Sequence, residues 1–236
     1  MILDSFKVRT AIILIQYSDA FEIWDRAGQI TRSLSSIWPD LKVAEGQPQQ
    51  QTLTGKDVTI QTGITKSTIT LLGERALAQL KVQQINDTFD VWRDALALTE
   101  LNQISTRVVF CKEFTNLKEA NSELLSWNLA PWPSSKVFDQ PLESDRNGLE
   151  ISYRFEDENS FSVLRIKAEQ HKYEANLDPY YVEEPEIRTV KNRLTIDFDR
   201  GLLGSINAEK FRMDEWLKGH QHILRRDIEK VIKVQA

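Results

Sequence analysis

Two segments of the chain are rich in β-branched residues and apolar on both of their alternating faces, which restricts the fold more than any other feature. The first runs from Val8 to Tyr17 and the second from Thr106 to Phe114. A strand without polar alternation is covered on both faces or lies inside a sheet. Because the second segment would be an edge strand in a small sheet, we expect the sheet to continue past it, into the second half of the chain or into another subunit.

Helical periodicity separates these strands in the first half. Apolar residues at steps of three or four, beginning with Phe21 and Trp24, predict a helix that ends at Pro39, and 19–22 has the sequence of a capping box. A second helix is expected to carry Phe89 and Trp92. Its caps are expected at 86–88. Before this helix, β-rich segments are expected at 57–61 and 67–72, and residues 47–51 are interpreted as a solvated turn or an edge strand. The order β-α-β-β-α-β predicts an α+β, ferredoxin-like (split βαβ) domain over residues 1–130, with an extra helix capped by Asn116.

The second half is predicted to be an antiparallel β-meander packed by a long C-terminal helix, over residues 148–236. Alternating apolar residues at 151–155 lead through a turn at 156–159 into a second strand, and a long strand follows at 188–199. A final helix over 209–233 has an apolar seam that contains His220. Residues 131–147 have the composition of a linker, so we expect the domain boundary there.

Composition excludes several classes of protein. The 236 residues are 41% apolar and 28% charged, with a net charge of −5, as in a soluble globular protein of one large or two small domains. The single cysteine, Cys111, excludes a disulfide framework and fits a reducing compartment. An excess of acidic over basic residues argues against general electrostatic binding of nucleic acid or of an anionic membrane.

No targeting or membrane segment is recognised in the sequence. The start of the chain carries an acid where a secretory signal carries basic residues, and the apolar run Ala11–Ile15 is much shorter than the roughly 20 residues that cross a bilayer. We therefore expect a cytoplasmic protein without a membrane partner.

The order of elements resembles a sporadically distributed family of uncharacterised prokaryotic proteins of similar length. The resemblance is carried by a strand-helix start over 8–38, by Phe89–Trp92 leading into the strand at 106–108, and by the acidic-apolar strand 194–199 before a helix with Trp216 and His220. It implies no catalytic residue. The scattered occurrence of the family resembles that of genes in phage-defence or mobile-element neighbourhoods.

Recognised catalytic motifs are missing from the sequence. The nine glycines fall in neither a G-x-x-x-x-G-K nor a G-x-G-x-x-G frame, and no G-x-S-x-G elbow is present. His220 and His222 are two positions apart, so on a helix they point in different directions and are poor joint metal ligands. Cys111 has no nearby base and is interpreted as a core thiol. We predict no catalytic residue and no cofactor.

A metal site is the alternative to this non-catalytic interpretation. Asp197 and Asp199 share one face of a strand, and they could hold a divalent cation with Glu183 or Glu184 and support a hydrolase or nuclease. The simpler interpretation, which we prefer, is a solvated pair that faces water opposite Arg193 or Arg188.

Two further segments are candidates for partner binding. Trp127 and Trp132 lie beside Pro131 and Pro133 in the linker, and they either clamp the domains together or dock another protein. The end of the last helix carries Arg225, Arg226 and Lys230, which favourable charge at a helix C-terminus explains, with a nucleic-acid surface as the less favoured alternative.

The function predicted from the sequence is therefore a non-catalytic protein-binding or assembly subunit, whose partner is another protein or a second copy of the chain. The absence of a coherent catalytic set supports this hypothesis, and so does the strand at 106–114, which is apolar on both faces.

Overall fold

The computed structural model describes residues 2–73, 82–129, 149–176 and 186–233. They form nine strands, four α-helices and a short 3₁₀ helix at Ile2–Ser5, so the predicted α+β class is confirmed. The strands are β1 (Lys7–Gln16), β2 (Lys42–Gln47), β3 (Gln50–Thr54), β4 (Val58–Gly63), β5 (Lys66–Leu72), β6 (Glu100–Phe114), β7 (Glu150–Glu156), β8 (Ser160–Asn176) and β9 (Glu186–Asn207). The helices are α1 (Ile23–Ile37), α2 (Val82–Ala95), α3 (Leu117–Ser126) and α4 (Met213–Lys233).

All nine strands belong to one antiparallel sheet in the order β2-β3-β4-β5-β1-β6-β9-β8-β7. Strand β6 pairs with β1 on one side and with β9 on the other, which confirms the expectation that the sheet continues into the second half. Each half has the same order of elements: a strand, a helix, a meander whose last strand pairs with the first strand, and a second helix. The predicted boundary at 131–147 lies outside the described residues.

The Gln-rich stretch includes the end of the edge strand β2, in agreement with the second of the two alternatives predicted for it. It forms the β2–β3 hairpin, which adds two strands to the sheet beyond those of the β-α-β-β-α-β order. All six residues of β2 are exposed because β2 is the edge strand, so no apolar alternation marks it in the sequence.

Helix starts were predicted less well than helix positions. Helix α1 has Glu22 at its N-cap without a side-chain capping bond, so the predicted capping box is wrong. Its buried side chains are Ile23, Ile30 and Leu34. The predicted caps at 86–88 lie inside α2, which is also a correction. At α3 the prediction is confirmed, since the Asn116 side chain accepts a hydrogen bond from the backbone N–H of Glu119 at 2.9 Å.

Each of the four helices donates or accepts a hydrogen bond that joins it to a strand. These bonds link Thr31 of α1 to Gln51 of β3, Trp92 of α2 to Thr62 of β4 (2.8 Å), Glu123 of α3 to Lys112 of β6 (3.1 Å) and Trp216 of α4 to Thr106 of β6 (2.9 Å). Each of these strand residues must point toward the helix that it contacts, so the face on which the residue lies is the face on which that helix packs.

The register of the sheet places these four strand residues on the same face. Directly paired residues of antiparallel strands share a face, and so do residues two apart on one strand. Gln51 pairs with Thr62, Thr62 with Ser67, Ser67 with Ile15 and Ile15 with Ile104, while Thr106 and Lys112 follow Ile104 at even steps. All four described helices thus pack on one side, which we call the helix-covered face. The opposite side is the helix-free face. None of the helices in the described ranges is long and apolar enough to span a membrane.

Candidate functional site

The helix-free face is a broad surface on which none of the described helices packs. Its residues alternate with the core residues of the same strands, so their identities follow from the register. Across the sheet the face divides into a region of threonine and aliphatic side chains over β4, β5 and β1, which reaches Val109 of β6 and has Lys7 and Lys66 at its ends, and a charged region over β6, β9 and β8.

The uncharged part of the first region, which we call the threonine–aliphatic patch, occupies the first half of the chain. Ile12 of β1 pairs with Thr70 of β5, and Leu14 pairs with Thr68. All members are half-buried, and they are Thr10, Ile12, Leu14, Thr59, Gln61, Thr68, Thr70 and Val109. β-Branched and aliphatic side chains on a pleated surface form a flat, weakly hydrated area, which is suited to contact with another macromolecule.

The charged region is centred on Asp197. Arg107 of β6 donates two hydrogen bonds to its carboxylate, at 2.8 Å from Nε to Oδ1 and 2.7 Å from Nη2 to Oδ2. Arg165 of β8 donates a third, from Nη1 to Oδ2 at 3.2 Å. Bidentate pairing with a guanidinium is one of the strong hydrogen-bonded arrangements of a carboxylate in a protein. The side chain of Asp197 is only 10% exposed, whereas that of Arg107 is 44% exposed.

Asp199 lies next to this network on the same face. Burial raises the pKa of its carboxyl group, while the charges of Arg107 and Arg165 act in the opposite direction. Its Oδ1 is buried and has no hydrogen-bond partner among the described residues. The two aspartates and two arginines balance in charge, so the centre of the charged region carries no net charge.

This geometry bears on the predicted metal alternative. Asp197 and Asp199 do share a face, but both oxygens of Asp197 are bound by guanidinium groups. Within the described ranges no group of three or more histidine, cysteine or acidic side chains converges on one point. Glu183 and Glu184 lie outside the described residues. The predicted solvated pair opposite Arg193 or Arg188 is also corrected, because Asp197 is nearly buried and its partners are Arg107 and Arg165.

Substituting Asp197 tests this network. Asp197→Asn leaves two neighbouring guanidiniums without their shared counter-charge, and we expect the free energy of unfolding to fall by about 1–2 kcal/mol, less than for a fully buried pair because Arg107 is partly hydrated. Urea denaturation at neutral pH measures the change. Glu156→Gln is the control, since Glu156 pairs with Arg154 at an exposed site and should contribute little. Equal effects of the two substitutions would contradict the central position of Asp197.

The predicted tryptophan–proline site is only partly described. Trp127 caps the C-terminal end of α3 and is buried against Phe6, with 6.2 Å between ring centroids. Its ring is therefore not available at the surface. Pro131, Trp132 and Pro133 lie outside the described residues.

A different aromatic pair is exposed, and the sequence pattern did not predict it. Phe21 and Trp24, expected on the buried stripe of α1, are 51% and 58% exposed and contact each other with 5.1 Å between ring centroids. The spacing of Ala20, Ile23 and Ile30 is the signal that could have identified them, because it places the buried stripe on another side of the helix.

The basic end of α4 lies away from the helix-free face. Arg226 and Lys230 both bind Asp227, and the Arg226 guanidinium lowers the pKa of that carboxyl group to about 2. Arg225 is exposed nearby. Two of the three cations that the nucleic-acid alternative used are thus paired with the same carboxylate, which offsets one of their two charges.

The remaining candidate residues occupy different environments. His220 is buried against Phe198, while His222 is exposed, so they do not form a joint site. Burial, with a smaller effect of Arg200, lowers the pKa of His220 to about 3. Cys111 is half-buried on the helix-free face, where burial raises the pKa of its thiol. It is therefore less deeply placed than the core position that the sequence indicated.

Comparison with known proteins adds no family: no protein-family model matches the chain, and no match is found among curated proteins.

Proposed function

We propose that this protein is a non-catalytic binding and assembly subunit, and that the helix-free face is its docking surface. The observation that carries the proposal is the placement of all four described helices on one side of a nine-stranded sheet. A sheet in a protein core is covered on its apolar faces, and the threonine–aliphatic patch lacks such cover among the described elements.

The size of this face supports a stable interface. Nine strands about 4.8 Å apart give a width of roughly 40 Å, and about six residues of each strand give roughly 20 Å of length. The product, about 800 Å², is the area per partner of a standard protein–protein interface. Two sheets of this kind pack at roughly 10 Å with their strands nearly aligned.

The occupant that we propose is a second copy of the chain. In a two-fold interface the same patch meets itself, so any unbalanced charge would be repelled by its own copy. The threonine–aliphatic patch contains no charged residue, and the centre of the charged region has two arginines and two aspartates. Both regions therefore tolerate contact with themselves.

The sheet edges are less suitable for docking. The edge strand β2 is irregular between Val43 and Glu45, and the other edge strand, β7, carries Glu150, Arg154 and Glu156. Irregular and charged edges are the features by which proteins prevent edge-to-edge association. The proposal therefore places the interface on the face of the sheet.

The proposal includes finer features of the sequence prediction. The order β4-β5-β1-β6 with α1 and α2 supports a ferredoxin-like arrangement in the first half, enlarged by the β2–β3 hairpin. In the second half, the bond from Trp216 to Thr106 and the contact of His220 with Phe198 support packing of the C-terminal helix on the sheet. A cytoplasmic location fits the single cysteine, and a role in a prokaryotic defence complex rests on the family resemblance alone.

Self-association is tested by a charge placed in the patch. Leu14→Lys and Thr70→Lys each bury an unpaired charge in the dimer interface, which costs several kcal/mol, so we expect the dimer dissociation constant to rise at least about a hundredfold. Light scattering coupled to size-exclusion chromatography, over a concentration series, measures the mass of the wild type and the variants.

Leu125→Lys is the matched control, because Leu125 is an exposed leucine on α3, on the helix-covered side. Its dimer should dissociate like the wild type. Circular dichroism and thermal unfolding verify that each variant is folded. A wild type that remains monomeric at high concentration, or folded patch variants that still dimerise, would overturn the proposal.

A further inference from the structure

A groove of about 610 Å³ lies at one end of the sheet, where β1 begins and β6 ends. Its charged and reactive lining residues are Lys7, Arg9, Cys111, Lys112, Glu113 and Arg193. The volume falls in the range of sites that bind small molecules. The groove lies outside the threonine–aliphatic patch, but its Cys111 and Arg193 are on the helix-free face, so the ligand site is tested at protein concentrations at which the chain is monomeric.

A bulge in β1 brings Arg9 into this lining. Val8 pairs with Phe110 and Thr10 with Val109, so Arg9 is the extra residue of the pair of strands. Such a bulge changes the direction of a side chain and is often found beside functional sites. The backbone N–H of Gly73 donates to the carbonyl of Arg9 at 2.9 Å and holds the bulge in place.

The groove is basic in a protein that is acidic as a whole. Four cations and a single carboxylate line it, whereas the chain has a net charge of −5. Glu113 is already bound by Lys191 at 3.0 Å and by Arg193 at 3.4 Å, and Lys112 is bound by Glu123 at 3.1 Å. None of these pairs involves Arg9, so positive charge is in excess where β1 begins.

Two arginines give the groove its chemical selectivity. The side chain of Arg193 is 8% exposed and is fixed at the wall, while Arg9 forms no ion pair with any carboxylate of the described residues. A guanidinium offers a planar fork of donors that matches two oxygens of a phosphate or carboxylate group. Arg193 is buried, and Arg9 beside it pairs with no carboxylate in the described ranges. A bound anion would supply the negatively charged partner that Arg9 lacks there.

We propose that this groove is a binding site for a small ligand that carries a phosphate or carboxylate group, with Arg9 as its main contact. The groove has room for a ligand larger than a bare phosphate ion. The bound anion compensates the excess positive charge at the beginning of β1.

Cys111 provides a direct measurement, because it is the only cysteine of the chain and lines the groove. Thiol labelling by 5,5′-dithiobis(2-nitrobenzoate), which carries two carboxylates, is compared with labelling by neutral 4,4′-dithiodipyridine. The rate ratio of the anionic to the neutral reagent should exceed that of the urea-denatured protein and should fall as salt increases. Pyrophosphate and citrate, used as separate competing probes, should slow labelling in a saturable manner, and the tighter of the two identifies the preferred anionic group.

Arg9→Gln is the test variant and Arg32→Gln the matched control, since Arg32 is an exposed arginine on α1, away from the groove. We expect Arg9→Gln to weaken protection by the competing anion roughly five- to tenfold, as removal of one charge-assisted contact does, and to lower the rate ratio. Arg32→Gln should change neither value. Circular dichroism verifies that both variants are folded. No saturable protection by either anion, or equal protection in wild type and Arg9→Gln, would overturn the proposal.

Discussion

Replacing Trp92 with alanine should lower the free energy of unfolding by about 3–5 kcal/mol, the usual cost of removing a buried tryptophan. Trp92 lies on α2, is completely buried and donates from Nε1 to Oγ1 of Thr62 on β4 at 2.8 Å. The substitution removes a large apolar side chain, leaves a cavity between helix and sheet and leaves the Thr62 hydroxyl without this donor. Urea denaturation followed by circular dichroism measures the loss.

Trp24→Ala is the control for the same chemical change at the surface. Trp24 is 58% exposed on α1, so its removal should alter the free energy of unfolding by no more than about 0.5 kcal/mol. If Trp24→Ala destabilised the protein as much as Trp92→Ala, the placement of the buried stripe of α1 would be wrong.

Stability should fall steeply in mild acid because of His220. Its pKa is lowered from the ordinary 6.5 to about 3 in the folded protein, mainly by burial. Between these values the unfolded chain binds a proton that the folded protein does not, so acid favours unfolding. The contribution is absent above pH 6.5 and grows by about 1.4 kcal/mol per pH unit below it, reaching about 3 kcal/mol at pH 4.

His220→Leu should remove this part of the pH dependence. Leucine fills a similar volume on the apolar side of α4 and takes up no proton, so the free energy of unfolding should become flatter between pH 6.5 and pH 4. His222→Leu is the control, because His222 is exposed and two residues away. Urea titrations at several pH values measure both variants. An unchanged slope in His220→Leu would show that other groups cause the acid sensitivity.

Local sequence patterns identified the strands and helices in which apolar residues recur at regular steps. The strand at 106–114 was expected inside a sheet because Val108 and Val109 point to opposite faces and both are apolar, and β6 indeed pairs on both sides. Asn116 was predicted as a cap because it directly precedes a run of apolar residues at helical spacing, and its side chain indeed accepts a hydrogen bond from the N–H of Glu119. Both signals depend on neighbours in the chain, which is why they could be read without the fold.

The candidate site depends on residues that are distant in sequence. Arg107 and Asp197 are 90 positions apart, and only the pairing of β6 with β9 brings them together. The exposure of Phe21 and Trp24 likewise depends on which side of α1 meets the sheet. A pattern of apolar residues does not determine this rotation when aromatic residues lie on two sides of one helix.

The sequence alone determined the α+β class, the strands near the centre of the sheet and the cap of α3, because periodicity and capping are set by residues within a few positions of one another. The tertiary structure decided that all described helices share one face and that a bulge presents Arg9 in a basic groove. Both features depend on the strand register, which is fixed jointly by several segments that are far apart in the sequence. The residues of one segment therefore do not determine them.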